Sequence, residues 1–250
     1  KIMYTKEEIK SMLFIDIETT SGFKTFGELK ETHPELMSFW ERKAKFIKAE
    51  DVELRESSDE EIYFQKAALS PEWGRIVCIS VGQVKFDEVT EDPYMQKKSF
   101  YGEDERDILS SFANFMSQVF FKAPGIKIVG HNIKGFDLPY IIKKSILHGI
   151  ELPRQLHLHK MKPWENCLVD TYEVWKAGGW SSAALAHICL LLGIKNPKDD
   201  MQAGEVGAAF YSGKIEEIKN IKNPIGLYCK SGARAVIASS ILKKYGFENV

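Results

Sequence analysis

The chain has 250 residues, 44% of them hydrophobic and 28% charged, with a formal net charge of −1. That supplies the core of one large domain or two small ones, and it excludes a uniformly basic nucleic-acid binder while leaving room for a local basic groove. No apolar run approaches the roughly 18 residues of a membrane span, and the polar stretch Lys1 to Lys10 does not read as a signal peptide. The four cysteines, Cys78, Cys167, Cys189 and Cys229, form no CxxC pair and no Cys/His pair at zinc-finger spacing. Cys78 and Cys189 sit in apolar runs as buried thiols, and a reducing, cytoplasmic setting accounts for all four.

In chain order, the first predicted strand covers about residues 12–19. It opens on the apolar run Met12-Leu13-Phe14-Ile15 and ends in Asp16-Ile17-Glu18-Thr19. Side chains alternate across a strand, so Asp16 and Glu18 point the same way. Two anions on one face of a buried strand repel, and a hard cation with oxygen ligands, Mg²⁺ or Mn²⁺, relieves them. The plainer alternative is a strand with an acidic outer face. The stretch from Gly27 through Glu61 is polar and helix-prone, and reads as an insertion between the first two strands, with an exposed acidic segment from Asp51 to Glu61.

A second strand is expected near Arg75 to Phe86, rich in β-branched residues, and a third around Lys97 to Tyr101 pairs with it. Apolar residues at helical spacing (Ile108, Leu109, Phe112, Phe115, Met116, Val119) predict a helix within Gly102–Phe121. Lys127 to Asn132 reads as a short buried strand, Phe136 to His148 as a helix with Pro139 in its first turn, and Cys167 to Thr171 as a last strand. Beyond it, helices are expected at Ser182–Leu192, Gly204–Tyr211, Ile215–Asn220 and Pro224–Tyr245. Strands first and mostly helices last, with a βαβ step, predict a three-layer α/β domain around a mixed sheet.

A second acidic motif, His131-Asn132-Ile133-Lys134-Gly135-Phe136-Asp137, falls where a short strand turns into a helix. Such strand ends line the ligand crevice of α/β sheets. Asp137 there is either part of a site or a helix cap. The combination decides. A strand-end Asp-x-Glu followed by Asn-x-x-x-Phe-Asp before a helix resembles the DEDD family of 3′–5′ exonucleases. The run from Ala67 to Val81 resembles the stretch leading into the second strand of the branch of predicted exonucleases related to the proofreading domain of family B DNA polymerases. Leu191 to Ile194, followed by Lys198 to Met201, does so too.

That resemblance implies a ribonuclease H-like fold with a mixed five- or six-stranded sheet flanked by helices, in a single exonuclease-like domain over 1–250 with a helical insertion at about 21–62. It implies removal of nucleotides from the 3′ end of single-stranded nucleic acid, with DNA favoured over RNA, and two Mg²⁺ or Mn²⁺ ions. Asp16 would bridge the metals, Glu18 would share the nucleophile-side ion with a fourth acid, and Asp137 would act on the other. Thr19 and Asn132 would touch the terminal nucleotide and scissile phosphate. Phe136 would pack in the core beside Asp137.

The family's third motif is Tyr-x-x-x-Asp on a C-terminal helix. The matching segment is Tyr228-Cys229-Lys230-Ser231-Gly232. Tyr228 is present and would orient the attacking water, but Gly232 stands where the fourth carboxylate belongs. The two positions share one helix face, and a mid-helix Gly costs about 1 kcal/mol relative to Ala. The departure reads as a degenerate enzyme, as an acid deliberately replaced, or as a shifted register. Asp170, Asp199 or Asp200 could stand in for the acid, each being otherwise a cap or loop residue. The basic stretch Arg154–Trp164, with Lys134, Lys143 and Lys144, is either a strand-binding surface or a solvated loop.

Overall fold

The computed structural model describes residues 4–162, 167–180, 185–191 and 203–215. A short helix α1 (Lys6–Lys10) leads into β1 (Met12–Ser21), whose alternation sorts two layers. Leu13, Ile15 and Ile17 join one large apolar cluster, while Met12 and Phe14 pack on the opposite face with Ile9, Val84 and Val129. β1 is therefore buried on both sides, as expected of the central strand of a sandwiched sheet.

Five strands form one sheet in the order β3-β2-β1-β4-β5. β2 (Gly74–Phe86) runs antiparallel to β1 and to β3 (Pro93–Tyr101), whereas β4 (Lys127–Gly130) and β5 (Leu168–Asp170) extend the sheet in parallel. β3 begins earlier than the sequence suggests, because β2 carries the pairing out to Phe86 opposite Pro93. Asp87 closes that hairpin by accepting the N–H groups of Val89 and Thr90, both at 2.9 Å. β4 ends at Gly130, two residues short of its expected end.

Two crossover helices cover one face. α5 (Glu105–Lys122) is capped by Asp104, and α6 (Asp137–His148) ends on Gly149 in the left-handed region at φ 65°. Ile108, Leu109, Phe112 and Met116 of α5, with Leu138 and Ile141 of α6, fill the main core. Glu105 ties the layers together. It is 6% exposed and accepts from the Ile76 N–H at 2.6 Å, with Lys144 Nζ at 3.4 Å and His148 Nε2 at 2.9 Å. β5 continues into α7 (Thr171–Lys176), followed by α8 (Leu185–Leu191) and α9 (Ala203–Tyr211). On the other face of the sheet, Val206, Ala209 and Phe210 of α9 pack on Val77 and Cys78. The expected helices at Ile215–Asn220 and Pro224–Tyr245 lie outside the described residues apart from Ile215.

Between β1 and β2 the chain forms α2 (Phe26–Thr32), α3 (Met37–Glu50) and α4 (Asp59–Lys66). The apolar residues here are few and far apart in sequence, yet they converge. Leu29, Trp40, Ala44, Ile62 and Tyr63 make a second core. Trp40 is fully buried, donates its indole N–H to the Asp59 carbonyl at 3.0 Å, and meets Tyr63 and Trp73 edge-on at 5.1 and 5.0 Å. Among the described residues no helix is long and apolar enough to cross a membrane.

Candidate active site

β1 carries the first two acids. By alternation Asp16, Glu18 and Thr20 share the face turned toward α9, whose Gly207 comes so close to Thr20 that an added Cβ would stand 2.7 Å from the Thr20 hydroxyl. Opposite them on β2, Asp16 faces Ser80 and Glu18 faces Cys78. The register slips between Glu18 and Thr19, which leaves Val77 as the extra residue of a β-bulge directly beside the acids. A row of small polar groups continues across the sheet. The Cys78 thiol lies 3.5 Å from the Ser80 hydroxyl, which lies 3.0 Å from that of Ser99.

The third acid arrives with α6. Its first residue, Asp137, is fully buried, and its Oδ1 accepts the Ile17 N–H at 3.2 Å. The reason is local. β4 pairs with β1 only as far as Phe14, so the later N–H groups on that edge of β1 need other acceptors. Asp137 is thereby anchored to the residue that separates the two acids of the first motif. It is not the helix cap: Phe136 holds that position, and no side chain caps the helix. Phe136 packs against the main core and meets Tyr140 at 5.5 Å, as expected.

The charges are crowded. Burial pushes the Glu18 carboxyl up to about 8. Burial, reinforced by the charges of Glu18 and Asp170, holds Asp137 well above the usual carboxylate range against the opposing pull of the Ile17 N–H. One Glu18 oxygen, Oε1, is buried with no hydrogen-bond partner among the described residues. A divalent cation would relieve all three conditions, and the donors are the hard oxygens that Mg²⁺ and Mn²⁺ prefer. Among the described residues, however, no group of three or more His, Cys, Asp or Glu side chains is already arranged to hold an ion. Asp16, Glu18 and Asp137 fit the group in chemistry, as part of a donor set.

The other expected site residues divide. Thr19 donates its hydroxyl to the Ala68 carbonyl at 2.8 Å, which binds the end of β1 to the segment before β2. Asn132 is exposed and left-handed at φ 55°, a conformation Asn tolerates. Its carbonyl accepts from Gly135 and Phe136, and a Cβ at Gly135 would collide with the Asn132 side chain. Tyr228 and Gly232, like Asp199 and Asp200, lie outside the described residues.

Asp170, whose charge acts on Asp137, is engaged by the backbone. It is 4% exposed and accepts three backbone N–H groups, from Asn132 at 2.7 Å, Lys134 at 3.0 Å and Tyr172 at 3.0 Å. The cap role is present in the Tyr172 bond, and the other two bonds fix the loop that carries the second motif. Next to it the His131 Nδ1 lies 3.1 Å from the Thr171 hydroxyl, and burial holds that imidazole down at about 4. Of the basic residues, Lys144 turns inward to Glu105, whereas Lys134 and Lys143 stay on the surface.

A family model described as a predicted 3′–5′ exonuclease related to the exonuclease domain of PolB matches residues 69–231, more than half of the chain. It spans Asp137 and Tyr228 but neither Asp16 and Glu18 nor Gly232, which lies one residue past its end. Among solved structures, the family B DNA polymerase from the hyperthermophilic archaeon Pyrobaculum calidifontis is similar at 15% identity and a TM-score of 0.50. The similarity covers 93% of this chain and 24% of the polymerase chain, so this chain spans about a quarter of that protein. The likeness is one of fold: a mixed five-stranded sheet flanked by helices, of the ribonuclease H-like kind. No curated protein matches the chain.

Proposed function

Since the chain belongs to the family of predicted 3′–5′ exonucleases related to the exonuclease domain of PolB, we propose that its carboxylate site hydrolyses phosphodiester bonds at the 3′ end of single-stranded nucleic acid, with DNA favoured over RNA. On this reading the chain is one exonuclease-like unit with a helical insertion between β1 and β2, working in the cytoplasm. The observation that carries the reading is the bond from the Ile17 N–H to Asp137. It ties the acid of the second motif to the backbone of the residue that separates the two acids of the first.

Asp16, Glu18 and Asp137 would hold the divalent ions. When bound, such ions lower the pKa of a water and stabilise the charge on the departing 3′ oxygen. The protein's own part is placement. Asp137, anchored on the β1 backbone, keeps its distance from Asp16 and Glu18 fixed. The exposed amide of Asn132 and the β1-end Thr19 would contact the terminal nucleotide and its phosphate. Tyr228 would hydrogen-bond the attacking water. Burial disfavours the charged forms of Glu18 and Asp137, and a bound cation would favour them.

Gly232 favours a second reading, a catalytically inactive nucleic-acid-binding or scaffold protein that keeps the fold. Restoring the acid separates the two. Gly232→Asp is expected to give Mg²⁺- or Mn²⁺-dependent shortening of a 5′-labelled single strand from its 3′ end, at least about 100-fold faster than the native chain. Asp16→Asn in that background abolishes it. Binding of the strand with no shortening by Gly232→Asp establishes the scaffold reading instead.

A further inference from the structure

The geometry points to the insertion as one wall of a channel for the single strand leading to the site. This inference rests on the nucleic-acid reading above and adds residues of the insertion, which neither acidic motif contains. A cleft of about 630 Å³ opens between α3 and the start of α6, with the segment before β2 as its floor. One end lies at Gly135 and Phe136, immediately before Asp137. Its floor includes Leu69 and Ser70, next to the Ala68 carbonyl that holds Thr19. The cleft thus reaches the chain neighbours of Asp137 and of Ala68, the partner of Thr19.

Its lining suits an unpaired strand. Lys43 and Lys66 come from the insertion and Lys143 from α6, against two acids, Glu50 and Glu72. Lys43 bonds the Ser70 hydroxyl at 3.1 Å, which in turn donates to Glu72 at 2.6 Å. Lys143 meets Glu72 at 2.8 Å with both side chains about half exposed, and Lys66 meets Asp51 at 3.1 Å. The Lys143–Glu72 pair is exposed and pairs of that kind contribute little, so a phosphate can exchange for Glu72 at small cost, whereas the Lys66–Asp51 pair is more buried. Between the cations stand partly exposed apolar faces. Phe46 is 61% and Leu69 37% exposed, and the half-buried Phe136 closes the inner end. Cations tracking a backbone, interleaved with aromatic faces on which bases stack, are how proteins hold single strands without reading their sequence. A folded duplex offers no free base faces to Phe46.

The test is fluorescence anisotropy of a 5′-labelled oligothymidylate in EDTA, which prevents digestion. Lys43→Gln with Lys143→Gln is expected to weaken binding about tenfold and to make the dependence of log affinity on log salt shallower by about 0.7 per cation removed. Phe46→Leu, which keeps an exposed apolar side chain but removes the ring, is expected to weaken it about fivefold or more. Lys160→Gln, in the other basic stretch, leaves binding unchanged. Phe46, Lys143 and Lys160 are exposed and Lys43 is partly so, and an unchanged melting temperature verifies folding. If the native chain binds the strand and the cleft variants bind it equally well, or only Lys160→Gln weakens it, the channel is wrong while the exonuclease reading stands. If the native chain binds no single strand, the nucleic-acid reading itself fails and the channel with it.

Discussion

Asp170 has the most consequential position among the residues no motif singles out for this work. Three backbone N–H groups converge on one buried carboxylate, two of them from the loop that ends in Asp137. Hydrogen bonds to a charged acceptor are each worth about 1.5–3 kcal/mol. Asp170→Ala is therefore expected to cost about 2–4 kcal/mol, and Asp170→Asn less, because the amide oxygen can still accept. Urea unfolding monitored by circular dichroism measures both. A loss below about 0.5 kcal/mol for Asp170→Ala would mean the loop does not depend on it. The left-handed Asn132 makes the dependence plausible, since its backbone conformation is held by these bonds and by its own carbonyl accepting Gly135 and Phe136.

At the scale of elements, the structure is laced by polar groups that join segments distant in sequence. Glu105 at the start of α5 holds the first residues of β2 and the last turn of α6 at once. Burial lowers the Lys144 pKa, while the Glu105 charge works in the other direction. Removing the acid leaves a buried ammonium and a buried N–H unmatched. Glu105→Ala is expected to cost about 3–5 kcal/mol, the range for breaking a buried ion pair by deleting one partner. Chemical denaturation checks it, and a double variant with Lys144→Met should recover part of the loss because no buried charge is then stranded. A double variant no more stable than Glu105→Ala would show that Lys144 is not the group left unmatched. The insertion illustrates the same principle with apolar groups. Trp40 and Tyr63 are remote in sequence, and only the turn between α3 and α4 brings their rings to 5.1 Å.

For the whole molecule, what was legible in the sequence was what is local. The period of β1 places Asp16 and Glu18 on one face, and the apolar spacing of α5 and α6 places the core. What depends on register between strands was hidden: the bulge at Val77, the Cys78–Ser80–Ser99 row, and the docking of Asp137 on the Ile17 N–H where β4 stops short. The same coupling makes a global observable of the metal question. A ligand that binds only the folded state raises its stability, by about 2.7 kcal/mol at a hundred times its dissociation constant. For a chain of this size that is a rise of about 5–10 °C in melting temperature. Mn²⁺ is expected to raise the melting temperature of the native chain, to raise that of Gly232→Asp at lower metal concentration, and to leave Asp16→Asn unmoved. Because burial raises the Glu18 carboxyl to about 8, metal binding there would expel its proton, so the midpoint concentration should fall as pH rises from 6 to about 8. A melting temperature indifferent to Mn²⁺ in both native and Gly232→Asp chains would show that these carboxylates are not a metal site, and that their crowding is maintained by protonation alone.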